Sequence, residues 1–533
     1  MNRIEGMPIV TAAQMRAAEH ATGESVTTLM ERAGTAIAEA VRRLAGDSEI
    51  LILCGPGNNG GDGYVAARVL AAGGARVRVA TLAEPKTDAA KAARAGWSGL
   101  VETFADAAPA PILVEALFGT GLTRPLDTPD RSPAKAGAQL GNAIDSPQAS
   151  PNWAPASAGE RSVANERPAI NRSPAEAGAQ LEPSSDSSRQ PWAPAFARER
   201  RFAGEQGIVE KLHHLATAAH LTIAIDLPSG LATDTGAALS TPPVFDITLA
   251  LGAVKPVHLL QPAARYCGEI RLLDIGIPIA SDAYVLEARD LPNPGPDAHK
   301  YTRGMVAIIA GDMPGASELA ALAAMHAGAG YVTLLGDTQG PPHALVRAAF
   351  SDDALANDRI GALVIGPGLG RSDHARALLD AALATAHHLV IDGDALRLLD
   401  PARIAALTVS AILTPHSGEF DALFGKSNAD KITRARDAAK AADAIVVFKG
   451  ADTVIAAPDG RVRIAPRSSD WLSTAGTGDV LAGAIGAMLA AGLDALDAAA
   501  AGVWLHADAA RRLGPAFIAD DLALALQKAR ASL

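Results

Sequence analysis

From residue 50 onward the chain alternates short runs of β-branched residues and leucine with alanine-rich stretches, and that alternation leaves few folds open. Residues 51–54, 77–80, 112–114, 222–225 and 247–251 read as strands covered on both faces. The stretches between the early ones, such as 64–72, carry helical spacing. Strand, helix, parallel strand is the repeating unit, so the fold class is α/β with helices flanking parallel sheets.

The alternation stops between residues 128 and 206. This stretch is rich in Pro, Ser, Ala and Arg, and it repeats itself: RSPAKAGAQL at 131–140 returns as RSPAEAGAQL at 172–181. Trp153 and Trp192 each open a WAPA tetrapeptide. A loop of this length inside a compact domain normally signals disorder, and closing it costs only a logarithmic entropy term. It reads as a low-complexity insertion; a partner-binding element anchored by the two tryptophans is the alternative. A second break, ARDLPNPGPDAH, combines Pro, Gly and charge before a new alternation begins at 305–309 and continues at 331–335, 362–365, 389–391, 411–413 and 445–448. With 533 residues, too many for one ordinary core, the expected organisation is a domain at 1–280 interrupted by the insertion, a linker at 281–297 and a domain at 298–533.

Bulk properties narrow the function. A net charge of -11 argues against a nucleic-acid binder, whose affinity rests on Lys and Arg neutralising phosphates. It leaves room for a small anionic ligand held by backbone N–H groups. The longest largely apolar run, 480–493, is short of the roughly 20 residues that span a bilayer, so no membrane partner is expected. Residues 1–10 hold charges and a proline and no apolar core of a secretory signal. Two cysteines, Cys54 and Cys267, build neither a disulfide framework nor a metal site, and a reducing cytoplasm fits.

The chemistry sits where strands end. The first strand runs into Gly55-Pro56-Gly57-Asn58-Asn59-Gly60-Gly61-Asp62-Gly63 and then a helix. Five glycines in nine residues let backbone approach a ligand, and the positive helix end suits phosphate. The loop is neither GxGxxG nor a P-loop. Glu115 and Asp226 mark two further strand tips, followed by Gly119-Thr120-Gly121 and by Pro228-Ser229-Gly230. Ligands of open parallel sheets bind at such carboxyl ends. In the second half, Ser473-Thr474-Ala475-Gly476-Thr477-Gly478-Asp479 precedes a long helix and makes an anion hole in which Asp479 is placed to act as a base; an N-capping Asp is the plainer reading. Four more strand ends carry IGPGLG, IDGDAL, LTPHSGE and FKGADT.

The segments GPGNNGGDGYVAARVL, ALFGTGLTRPL, IDLPSGL and CGEIRLLDIGIP resemble the signature of the NAD(P)H-hydrate epimerase family, over roughly residues 8–128 and 207–280. The order of the later segments resembles the ribokinase-like fold and, within it, the ADP-dependent NAD(P)H-hydrate dehydratases, over about 298–530. The resemblance implies a Rossmann-like three-layer sandwich followed by a ribokinase-like α/β domain. It implies that Asn58, Asn59, Gly60, Gly61 and Asp62, with Gly119, Thr120, Gly121, Leu122, Thr123, Arg124 and Pro125, hold the hydrated dinucleotide, and that Asp226 meets its reacting end. Asn59, Glu115 and Ser229 match positions that hold a potassium ion; residue 115 is usually Asp in that family, and Glu is one methylene longer. In the second domain Ala316, Gly368, His416 and Asp479 match hydrate contacts, while Lys449, Gly450, Ala451, Asp452, Thr453 and Gly478 match adenine-nucleotide contacts. Asp312 stands where that family more often has Ser, which adds negative charge.

The implied activity is repair of hydrated NADH and NADPH: exchange of the R and S hydrates, with Asp226 or Asp62 as acid or base, and ADP-dependent dehydration of the S hydrate through a phosphorylated intermediate, with Asp479 as base and magnesium accompanying ADP. A homo-oligomer in the cytoplasm is expected. The alternatives are a ribokinase-type small-molecule kinase and a non-catalytic N-terminal binding module. His213, His214, His387 and His388 lack ligand-spaced partners and read as surface residues.

Overall fold

The computed structural model describes residues 1–127 and 207–533, so the expected insertion and its tryptophans lie outside the described residues. Seven strands form the first sheet: β1 (Ile50–Cys54), β2 (Val77–Thr81), β3 (Val101–Thr103), β4 (Ile112–Ala116), β5 (Leu221–Ile225), β6 (Ile247–Leu251) and β7 (Glu269–Leu273). They lie in the order β3-β2-β1-β4-β5-β6-β7, every pair parallel. Successive side chains of a strand face opposite ways, so β1 serves two cores. Ile50, Ile52 and Cys54 meet the helices Val26–Ala45 and Asn58–Ala72, while Leu51 and Leu53 meet Leu212 and Leu215 of the helix Ile208–Ala218. This is the three-layer Rossmann-like arrangement that the resemblance implied.

The second sheet holds β8 (Ala283–Val285), β9 (Met305–Ile309), β10 (Tyr331–Leu335), β11 (Val346–Ala348), β12 (Ile360–Ile365), β13 (Leu389–Ile391), β14 (Ala411–Leu413), β15 (Ile445–Phe448), β16 (Val454–Ala456) and β17 (Val462–Ile464). Their order is β11-β10-β9-β12-β13-β14-β15-β16-β17-β8. It is parallel from β11 to β15 and then turns back through antiparallel β16 and β17. One difference from the sequence reading stands out. Residues 283–285, assigned to the linker, form the outer strand β8 beside β17. Three residues among Pro, Gly and charge carry no local strand signal, and their partner lies about 180 residues away in the chain.

In each sheet the strand order reverses at one strand, at β1 between β2 and β4, and at β9 between β10 and β12. A crevice opens at the carboxyl ends of such a switch point. The N-terminal residues strap the two sheets together. Ile9 bridges Val254, Pro8 bridges Tyr284, and Ile4 and Ile9 share an apolar cluster with Val285, Val454 and Val462. Among the described residues no helix is long and apolar enough to cross a membrane.

The helix Thr477–Ala490, whose first turn bears Asp479, lies close against the helix Pro314–Ala327. A methyl group at Gly483 would stand 2.0 Å from the Ala320 carbonyl oxygen. Gly483→Ala is therefore expected to lower the unfolding free energy by about 1–3 kcal/mol through overpacking. Gly295→Ala, where a methyl meets open space, should be near neutral. Urea unfolding of both variants checks this; equal stability of G483A and wild type would contradict the packing.

Candidate active sites at two rows of strand ends

At the first switch point β1 ends in a turn that only glycine permits. A methyl at Gly55 would meet the Leu117 carbonyl oxygen at 1.6 Å, and one at Gly60 would meet the Gly55 oxygen at 1.9 Å. The loop thus lies hard against the residue following β4, and between them opens a cleft of about 890 Å³. Asn58, Asn59, Asp62, Gly119, Thr120, Gly121, Leu122 and Asp226 line it. Thr87 donates to the Asn58 amide oxygen at 2.7 Å, and Asn59 donates to the Ile225 oxygen at 3.4 Å. Gly60 and Gly61 face inward, Gly61 against Met30, while Thr123, Arg124 and Pro125 are exposed beyond the cleft lining.

The end of β5 is the most constrained point. Asp226 has φ +64°, a left-handed conformation that costs a non-glycine residue on the order of 1 kcal/mol or more. Lys255 and His258 hold it there, and neither was singled out from sequence. The Lys255 ammonium, its side chain 1% exposed, donates to Asp226 Oδ1 at 2.6 Å and to the Leu251 oxygen at 2.7 Å. His258 Nδ1 accepts from the Lys255 backbone N–H at 3.0 Å, and Nε2 donates to the Asp226 carbonyl at 2.7 Å. Both ring nitrogens are thereby assigned, and the ring is neutral: burial, helped by the Lys255 charge, pushes it down to about 4. The signal was in the sequence, since Lys255 interrupts an apolar run at 253–260, yet an isolated Lys reads as a surface residue.

Two carboxyls face this pair. Burial pushes Asp62 well above the usual range, and the Asp226 and Glu19 carboxylates add to it against Lys255. Burial also raises Glu19, which lines the same cleft. Behind the lining, fully buried Glu115 accepts from Leu117 N–H at 2.7 Å and from the hydroxyl and N–H of Ser229 at 2.6 and 3.0 Å. Burial pushes it up to about 7 against those bonds.

In the second sheet, the ends of β13, β14 and β15 and the first turn of the helix Thr477–Ala490 converge. Asp392 Oδ1 accepts from Lys449 Nζ and from Thr414 Oγ1, each at 2.6 Å. Asp479 is pushed up to about 7, first by burial and then by Asp392, with Lys449 opposing. Gly476 opens the helix at φ +88°, and a methyl at Gly478 would lie 3.3 Å from the Lys449 ammonium. His506 Nε2 donates to the Thr477 oxygen at 2.9 Å and anchors that first turn. His416 caps the next helix: its Nδ1 accepts from Gly418 and Glu419 N–H at 2.9 and 3.3 Å, and its exposed Nε2 lies 3.3 Å from Glu419. Sequence reading quoted the segments holding Asp392, Thr414 and Glu419 but gave those residues no role, and it missed His506.

Gly368 and Ala316 are neighbours, a methyl on the glycine falling 3.0 Å from the alanine Cβ, with the Gly368 oxygen accepting from Met313 N–H at 2.9 Å. In the 449–453 turn Thr453 closes on Gly450 at 2.9 Å, and Ala451 is exposed. The Asp452 carboxylate is taken up by Lys431 Nζ at 2.5 Å and by the Gln261 N–H at 2.9 Å. Its side chain therefore ties the two sheets together, and only its backbone remains for a nucleotide.

Two doubly wound sheets define an α/β protein with two sites suited to nucleotides, the first with glycine turns and an Asp–Lys pair beside its switch point, the second with the same features at the ends of β13 and β15 and the start of the following helix. A family described as NAD(P)H-hydrate dehydratase matches residues 306–530, and one described as YjeF-related protein N-terminus matches 26–148. The bifunctional NAD(P)H-hydrate repair enzyme of Salinibacter ruber is 31% identical, covering 95% of this chain and 92% of its own length. That of Mycobacterium tuberculosis H37Rv is 39% identical over 52% of this chain, and the alignment spans 60% of the mycobacterial protein. Among solved structures, the ADP/ATP-dependent NAD(P)H-hydrate dehydratase of Bacillus subtilis is similar at 28% identity and a TM-score of 0.41, over 45% of this chain and 94% of that one. The chain belongs to the family of bifunctional NAD(P)H-hydrate repair enzymes.

Removing the Lys255 ammonium leaves Asp226 charged and without its buried partner. Lys255→Met is expected to cost about 3–5 kcal/mol of unfolding free energy. Adding Asp226→Asn should restore part of it, because the stranded charge is gone. Denaturant unfolding of the single and double variants measures the coupling; additive losses would contradict a tight pair.

Proposed function

We propose that the first cleft interconverts the R and S hydrates of NADH and NADPH, and that the second dehydrates the S hydrate with ADP as phosphoryl donor. The observation that carries this reading is the pairing, in each cleft, of one ion-paired carboxylate with a carboxyl of raised pKa. A carboxyl lifted by burial beside a carboxylate fixed by a lysine gives a site a group that exchanges a proton near neutral pH.

In the first cleft, Asp62 carries the proton and delivers it to the departing hydroxyl as the ring nitrogen's lone pair expels it as water. Asp226, fixed by Lys255, takes a proton from the water that returns to the opposite face. Water lost equals water regained, the carbon is inverted, and the proton passes from Asp226 back to Asp62 to reset the pair. Asn59, Glu115 and Ser229 each offer a side-chain oxygen, and the Glu115 carboxylate is met by N–H and O–H groups with no cationic side chain. This donor set fits a potassium ion, whose charge would hold Glu115 ionised.

In the second cleft, Asp479 takes the hydroxyl proton as the hydrate oxygen attacks the terminal phosphorus of ADP and AMP leaves. The amides of residues 476–478 and the Lys449 ammonium stand ready for the transferring phosphoryl. Phosphate then leaves from C6, a proton is lost from C5, and the dihydronicotinamide double bond is restored. Magnesium would accompany ADP on the nucleotide's own phosphates.

Separated variants test the division of labour. Asp479→Asn should lower ADP-dependent recovery of dihydronicotinamide absorbance at least 100-fold while epimer exchange, followed by chromatography, continues. Asp226→Asn should do the reverse. Loss of both activities in either variant would contradict two independent sites. The pH dependence has a definite sign. Asp479 acts deprotonated, so kcat for dehydration should fall tenfold per unit below about pH 7 and level off above it. A flat profile from pH 5.5 to 8.5 would remove Asp479 as the base.

A further inference from the structure

A second cavity, of about 600 Å³, opens at the carboxyl ends of β9, β10 and β11, on the side of the second sheet away from Lys449. Of the site positions weighed in the sequence, only Asp312 lines it. Gly311 and Asp312 approach from the loop after β9, Asp337 and Thr338 from the loop after β10, and Arg347 and Phe350 from β11 and beyond.

Its polar chemistry is unfinished. Thr338 Oγ1 and Arg347 Nε are both buried without a hydrogen-bond partner, and both residues line this cavity. The Asp337 carboxylate is exposed and engaged by no side chain or backbone group among the described residues. The exposed Asp337 carboxylate favours a ligand that brings hydroxyl donors, and the unmet donors of Thr338 and Arg347, which cost about 1–3 kcal/mol each, lie just beneath the same wall. Phe350 adds an aromatic face.

The topology points to one such ligand. The order β11-β10-β9-β12-β13-β14 is that of a dinucleotide-binding sheet, and Asp337 sits just past its second strand, 26 residues after Gly311. An acid in that place is where a ribose diol of a dinucleotide is read. From β13, where Asp392 lies, to β10 is three strand spacings, roughly 14 Å. That is a separation suited to the two ends of a dinucleotide. The opposite flank, toward β15, remains for ADP.

We propose that this cavity binds the adenosine end of the dinucleotide hydrate during dehydration, with Asp337 accepting from the ribose hydroxyls. The assignment rests on the dehydratase reading above. It makes Asp337 a specificity residue, because its charge, with Asp312 lining the same cavity, opposes a 2′-phosphate. Arg347 does not reverse this: it is held by the Pro341 and Pro342 oxygens and lies 3.6 Å from Glu318.

The test is steady-state dehydration by the full chain, with S hydrates of NADH and NADPH, in wild type, Asp337→Asn and Thr338→Val. Wild type should show a KM several-fold lower for the NADH hydrate. D337N should raise that KM about fivefold and shrink or reverse the preference, with kcat and the KM for ADP within twofold. T338V should raise both hydrate KM values two- to fivefold. A general loss of folding would move kcat and the KM for ADP as well, and would not exchange one hydrate for the other. Unchanged hydrate KM values in both variants, with wild type active, would overturn the subsite alone. A wild type that never restores absorbance would overturn the dehydratase reading, and the subsite with it.

Discussion

Two parallel sheets covered by helices on both faces leave almost nowhere to put a charge. Most strand positions are apolar because their side chains meet a core, and Glu115 on β4 is the fully buried acid among them. The loops at the carboxyl ends are the remaining place where backbone N–H groups, glycines and titratable side chains can gather. Both clefts are consequences of that constraint. Gly55 pressed on the Leu117 carbonyl turns β1 toward its helix, and Gly476 opens the helix Thr477–Ala490 in a left-handed conformation, each without a side chain in the way.

Within those loops both sites handle charge in the same manner. Asp226 is bound to Lys255 and Asp392 to Lys449, each at 2.6 Å. The paired carboxylate is fixed in position, and its negative charge, together with burial, lifts a neighbour: Asp62 in the first cleft and Asp479 in the second. A pair of this kind is weak support for stability, since desolvating two charges offsets most of their attraction. Its value lies in placing an ionised and a protonable oxygen side by side. Asp226 shows how much local structure is devoted to that end, since a strained backbone, a buried ammonium and a neutral imidazole all bear on one residue.

Much of this was legible beforehand. Long, β-branched strands with long-range parallel partners, such as Met305–Ile309 and Ile445–Phe448, announce themselves by composition, and glycine-rich strand ends mark where a ligand can approach. Among the three-residue strands, Leu389–Ile391 and Ala411–Leu413 were read, but Ala283–Val285 and the hairpin of Val454–Ala456 with Val462–Ile464 owe their existence to partners rather than to their own pattern. The same holds for function. Asp62, Asp226 and Asp479 lie in segments whose glycines draw attention. Lys255, His258 and His506 lie in apolar or helical stretches, where only the tertiary structure shows what their polar atoms meet. Asp452 shows the converse, a residue in a nucleotide-like turn whose side chain bridges two sheets.

The account's central claim is that both clefts work on one substrate in sequence, so that an epimer refused by the second site is converted by the first. The most direct measurement is recovery of dihydronicotinamide absorbance from a mixed-epimer hydrate by the full wild-type chain, with ADP and without it. Complete recovery that requires ADP, faster than the hydrates exchange unaided, is the predicted result. Recovery that stops at the share of one epimer would contradict the claim.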